Sequence, residues 1–272
     1  MTGTLLARRP GTGPAPLPWL PLTLTVALLG TAIAYPLSSG AARDAVSWAI
    51  VLLGSAVSVS HATVSRGART GAAVFVVVGV VAVLFEALGL RTGFPYGEYV
   101  YSDTLGPTLL GVPFLVPLAW LMMAWPSWVL AARLTSRVRA PRRRAARVAV
   151  AAYVFAAWDV VLDPQLVQAG YWRWAHPEPG LPGISTVPLT NLAGWLLAGL
   201  VLMTLLDLLV ERTSRPPRIG DVAPLLTLGW MVLGGALAHA GWLGLPGSAV
   251  WGVVLALPVL AALAVQERRR RR

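Results

Sequence analysis

The sequence contains no cysteine and no lysine, and it is poor in charge of either sign. Without cysteine there is no disulfide framework, no thiol nucleophile and no thiolate metal site. Charged residues fill 12% of the 272 positions, against about 25% in an ordinary soluble domain, and 56% are hydrophobic. The deficit falls on several long apolar runs, which implies a polytopic membrane protein. All 22 basic residues are arginine and the net charge is +11. Such a balance can signal nucleic-acid binding. Here the arginines lie between apolar runs, so they read as a topology signal and no nucleic-acid partner is implied.

The apolar runs predict an all-α transmembrane bundle of about eight helices, at roughly 18–36, 44–62, 71–90, 111–132, 147–167, 187–208, 222–242 and 248–265. Residues 1–17 are rich in Gly, Pro and Thr and read as a disordered segment. Residues 18–266 form a single transmembrane domain without internal repeats, and 267–272 a basic tail. Ala32-Ile33-Ala34 faintly resembles a signal-peptide cleavage site, which would leave seven mature helices. Arginine placement tests the count. With the N-terminus inside, Arg43, Arg91 and Arg173 alone fall outside, and the remaining nineteen fall inside. That asymmetry supports eight spans, both termini cytoplasmic, in a multi-pass protein of the bacterial cytoplasmic membrane. The basic tail and the Arg133–Arg147 loop anchor this topology and can also meet acidic membrane lipids.

Two aspartates, Asp159 and Asp163, lie four residues apart after a charge-free run from Val148 to Ala157. Four residues is about one turn, so both carboxyl groups share one side of a helix. Each costs about 2.5–3.5 kcal/mol on insertion scales, so a pair implies a site facing a protein cavity. Glu86, Asn191 and Trp195 come to a similar depth in the outer half of the bilayer. His239 falls near the outer end of the seventh helix and alone reads as a hydrogen-bonded interfacial histidine. His61 lies near the other end, away from the cluster. Two aromatic loops on the outer side carry Tyr96, Tyr99 and Tyr101, and then Tyr171, Trp172 and Trp174. Gly and Pro shape both loops. Their aromatics suit either an interfacial belt or the wall of a site.

The segments Phe94-Pro95-Tyr96-Gly97-Glu98-Tyr99-Val100-Tyr101, Leu105-Gly106-Pro107, Gly111-Val112-Pro113 and Pro117-Leu118-Ala119-Trp120 form a first ordered motif. Trp158-Asp159, Leu162-Asp163-Pro164, Gly170 and Trp172-Arg173-Trp174 form a second. Val187-Pro188-Leu189 with Asn191, Gly194 and Trp195 forms a third. Together, from about Glu86 to Trp195, they resemble the integral-membrane carotenoid biosynthesis proteins. The characterised members of that family are carotenoid hydratases of the bisanhydrobacterioruberin and acyclic-carotenoid pathways. Relatives tend to carry an aromatic pair before the third motif and an aromatic after its Asn. This chain instead has Leu181-Pro182-Gly183-Ile184-Ser185-Thr186 and Leu192, so its wall near Asn191 is built differently.

The resemblance implies addition of water to a terminal isopropylidene C=C of a long polyene. That chemistry needs an acid able to protonate an alkene, a shielded tertiary cation, and one controlled water. Burial keeps a carboxylic acid protonated, and two adjacent carboxyls cannot both ionise cheaply. Asp159 or Asp163 is then the expected acid, with the other, or Glu86, positioning water. Aromatic faces stabilise a cation without trapping it, a role that falls to Tyr96, Tyr99, Trp158 and Trp195, with Tyr101, Trp172 and Asn191 as further substrate contacts. No metal or organic cofactor is required. The expected partners are a polyene from the lipid phase, water, and other enzymes of the same pathway. Two rivals remain open. Asp159-x-x-x-Asp163 superficially resembles a diphosphate–Mg²⁺ motif of membrane prenyl transfer, which normally needs a second acidic cluster. A transporter or pigment-assembly partner is the non-enzymatic alternative.

Overall fold

A computed structural model describes residues 17–213 and 216–271. The segment 1–16, expected to be disordered, lies outside the described residues, as does the last residue of the basic tail. The described residues form eight helices: α1 (Leu20–Ala34), α2 (Gly40–Arg66), α3 (Ala68–Thr92), α4 (Leu115–Leu134), α5 (Ala140–Gln168), α6 (Leu189–Thr213), α7 (Val222–Leu243) and α8 (Pro246–Arg271). Seven are long and apolar enough to cross a membrane, and the chain is a multi-pass membrane protein. The exception is α1, whose 15 residues span about 22 Å, short of the ~30 Å hydrocarbon core.

Several boundaries differ from the sequence expectation for local reasons. Residues 111–114 are not helical. Thr108–Leu109 (β2) and Val112–Pro113 (β3) pair around a two-residue turn whose Leu110 and Gly111 both have positive φ, as a tight hairpin requires. Helix α5 starts at Ala140 rather than 147, with a proline in its first turn and a run of helix-compatible arginines carrying it into the basic loop. Pro164 lies inside α5, which continues one further turn to Gln168. Helix α8 runs on into the basic tail as far as Arg271. Helix α7 is not regular. Its α-helical pieces Val222–Gly229 and Gly235–Ala238 alternate with π-helical turns at Trp230–Gly234 and His239–Leu243.

One end of the bundle is held by charge. Asp207 of α6 is fully buried and accepts from Trp128 Nε1 of α4 at 2.8 Å and from Arg147 Nη2 of α5 at 2.7 Å. Arg147 also reaches Glu211 at 2.7 Å. The guanidinium groups of Arg66 and Arg147 lie 5.0 and 5.6 Å from the Trp128 ring centroid. Nearby, His61 accepts from Trp125 Nε1 at 3.1 Å and faces the Gly220 carbonyl at 3.3 Å, a structural role apart from the carboxylate cluster.

At the opposite end the two aromatic loops join. Tyr99–Tyr101 (β1) pairs antiparallel with Trp172–Trp174 (β4), placing Tyr99 against Trp174 and Tyr101 against Trp172. This ladder links the chain after α3 to the chain after α5. Beneath it, Tyr96 packs where α3 and α6 carry glycine. A Cβ on Gly194 would meet the Tyr96 ring at 2.6 Å, and one on Gly89 would meet it at 2.9 Å.

Candidate active site

A cavity of about 250 Å³ lies under the β1–β4 ladder, walled by α2 to α7 and by the end of α1. Its lining is mostly apolar. Of the sequence-predicted residues, Glu86, Asp163 and Asn191 supply polar groups, and Tyr96, Tyr99 and Tyr101 come from the first loop. Trp158, Trp172 and Trp195 complete the predicted set. Asp159 is the exception. It lines a separate void of about 20 Å³ behind the main cavity, with Leu181, Ile184 and Leu192.

The aspartate pair is held by a single amide. Asn191 Nδ2 donates to Asp163 Oδ2 at 2.6 Å and to Asp159 Oδ2 at 2.8 Å. All three residues are at most 3% exposed. Asp159 Oδ1 has no hydrogen-bond partner among the described residues. The helix spacing explains the arrangement: positions 159 and 163 stack one turn apart on α5, and Asn191 lies in the first turn of the neighbouring α6.

Glu86 is supported differently. Its Oε2 accepts from Tyr99 at 2.5 Å and from Tyr101 at 2.8 Å. Burial first, and then the adjacent Glu86 carboxylate, push both phenols well above their usual pKa, so they stay protonated and donate. The alternation of β1 alone would send Tyr99 and Tyr101 to one face, with Val100 opposite. On the other loop, Tyr171 donates to Asp44 at 2.6 Å, and burial followed by that carboxylate raises its phenol to about 12.

The remaining wall is aromatic. Around Trp195, ring centroids lie at 5.0 Å for Trp120, 5.1 Å for Phe155, 6.1 Å for Trp158 and 6.3 Å for Tyr96. Tyr96 Oη is buried without a partner among the described residues. The cavity opens sideways between α1 and α7. Ile33, Leu37, Leu237 and Trp242 line it yet are each more than half exposed on the apolar flank. At the far end of that seam the two helices are joined, with Thr25 Oγ1 3.4 Å from both the Ala223 carbonyl and Thr227 Oγ1.

Sequence reasoning missed Gln165, Trp120 and the α7 wall. Gln165 is seven residues beyond Trp158, two turns along the same face of α5, and that spacing was the available signal. Nothing in the sequence marks the π-helical turns except the glycines at 229, 234, 235 and 241. Among the described residues, no three His, Asp or Glu groups converge closely enough to hold a metal ion.

These features define a class: an integral-membrane helix bundle with a flank-open aromatic cavity whose wall carries one member of a buried carboxyl pair. The chain belongs to the carotenoid biosynthesis protein family, whose family model matches residues 46–259. It is also similar to a bisanhydrobacterioruberin hydratase of Haloarcula japonica, with 36% identity over 137 residues. That match covers 50% of this chain and 44% of the relative, so under half of the relative's length is matched. No solved structure matches the chain.

Proposed function

We propose that this protein hydrates a terminal isopropylidene C=C of a long acyclic polyene. The observation that carries the reading is a clasped carboxyl pair of which one member, Asp163, opens on an aromatic, flank-open cavity. The substrate slides in from the lipid between α1 and α7, end first. Asp163, which faces the cavity, is the acid, and Asp159 sits behind it as the second member of the pair. Protonation of the =CH carbon leaves a tertiary cation on the adjacent carbon. The faces of Trp195, Trp158, Trp120 and Tyr96 stabilise that charge without bonding to it. Water adds to the cation, and the proton released returns to the carboxylate, so alkene plus water gives a tertiary alcohol. The hydratase name of the Haloarcula relative supports the same reaction class. The arginine asymmetry supports a cytoplasmic location for the basic end of the bundle.

The test is pigment analysis by mass in a bacterial host that makes acyclic polyenes, with and without this chain. A gain of one water per modified end is expected. An unchanged pigment mass with the protein present in the membrane would overturn the reading.

A further inference from the structure

The hydration reading assigns an acid and a cation cage but leaves the attacking water without a holder. Asp159 lies outside the main cavity. Glu86 Oε2 is already engaged by two tyrosine hydroxyls. Gln165 is different. It lines the main cavity, and its Oε1 lies 3.0 Å from His239 Nε2. On the other side of that ring, Nδ1 is 2.5 Å from Ser248 Oγ. His239 and Ser248 are at most 1% exposed. With the Ser248 hydroxyl turned to Nδ1 rather than to the Leu245 carbonyl 3.2 Å away, Nε2–H donates to Gln165 Oε1, and this tautomer sets the orientation of the Gln165 amide. Among the described residues its side chain makes no other hydrogen bond, so its –NH₂ is free to serve the cavity that Gln165 lines. The chain Ser248–His239–Gln165 therefore joins α8, the second π-helical turn of α7 and α5 into one support for a single pair of donor hydrogens. A π-helical turn inside a helix is frequently found at a functional site.

The position on α5 completes the argument. Asp163 and Gln165 are two residues apart, about 160° around the helix axis, yet both reach the cavity. They bound its α5 wall from opposite sides, Asp163 toward α6 and Gln165 toward α7. An alkene end lying across that wall has the acid on one side and the amide on the other.

We infer that Gln165, fixed by His239 and Ser248, is the catalytic residue that holds the water captured by the cation, with His239 as its positioning residue. This rests on the hydration reading. One water lone pair accepts from the Gln165 amide and the other forms the C–O bond. The proton released from the new oxonium returns to the Asp163 carboxylate.

The two half-reactions separate in D₂O. Membranes carrying the protein are given an acyclic polyene with isopropylidene ends. Hydrated product and deuterium in the recovered alkene are both measured by mass. Deuterium in recovered alkene reports protonation followed by proton loss, and product reports capture. Gln165→Leu and the volume-conserving Gln165→Met should retain exchange while the ratio of hydration to exchange falls about 10- to 100-fold. His239→Phe should move that ratio the same way by a smaller factor. A ratio unchanged in both Gln165 variants would overturn the inference, as would parallel loss of exchange and hydration in both. A wild-type chain that neither hydrates nor exchanges would overturn the hydration reading itself.

Discussion

Asn191 Nδ2 lies 2.6 Å from a carboxylate oxygen of Asp163 and 2.8 Å from one of Asp159, so one amide nitrogen spends both its hydrogens on two acids. Replacement by leucine leaves two buried carboxyls without their common donor. Asn191→Leu should lower thermal stability by about 1–3 kcal/mol and reduce product at least tenfold. A thermal melt in detergent with parallel pigment analysis checks both.

The two aspartates should not be equivalent. Asp163 borders the large cavity and Asp159 the small one. Asp163→Asn should reduce hydration by about 10²–10⁴-fold, the range of a lost general acid. Asp159→Asn, which keeps a polar group behind the acid, should retain measurably more activity. The reverse order in initial rates would move the acid to Asp159.

Glu86 depends on two phenols from the β1 strand. Tyr99→Phe and Tyr101→Phe should each destabilise by about 1–3 kcal/mol through an under-supplied buried carboxyl. In Glu86→Gln each phenol can still donate to the amide oxygen. The tyrosine variants should therefore melt below the Gln variant, and equal melting temperatures would argue against the donor role.

Tyr96 occupies space that glycine leaves open. Gly194→Ala puts a methyl 2.6 Å from the Tyr96 ring and 2.8 Å from the Pro95 carbonyl oxygen. Overpacking of this kind destabilises by about 1–3 kcal/mol. Gly79→Ala, with nothing within 4 Å of the new atom, is the neutral or mildly stabilising control. The difference between the two should be visible in detergent melting curves.

The charged end offers a test independent of function. Arg147→Met leaves the buried Asp207 with Trp128 at 2.8 Å and with Arg144, whose Nε lies 3.6 Å away. Breaking a buried pair costs up to about 3–5 kcal/mol, and Arg144 offsets part of that. Asp207→Leu combined with Arg147→Met removes both charges and should recover much of that loss. A double-mutant cycle on thermal stability reads the coupling.

The carboxyl pair, the aromatic loops and their shared depth were legible because charge in an apolar run and one-turn spacing are local signals. Nine of the ten predicted residues line one cavity for that reason, Glu86 and Asn191 among them. The exception, Asp159, was not separable from Asp163 by spacing. The distinction depends on Leu181, Ile184 and Leu192 packing behind α5. The β1–β4 ladder was hidden because its strands are 3 residues each and lie about 70 residues apart. Their shape was readable from Gly and Pro, but their pairing is a tertiary fact. Gln165 was missed because an amide in a helix carries no charge to flag it. Its partners come from α7 and α8, far along the chain.

The contact of Thr25 with Ala223 and Thr227 gives the α1–α7 seam a pivot. Ile33, at the mouth, is eight residues along α1, a lever of about 12 Å. Swinging α1 by about 15° about that pivot would part the seam by about 3 Å at Ile33 and hardly at all at Thr25. Because α1 is too short to be gripped at both faces of a bilayer, such a swing would be resisted by its packing along α2 rather than by the membrane. The same bundle that is bolted at its arginine end can therefore part at the other, where the cavity meets the apolar flank.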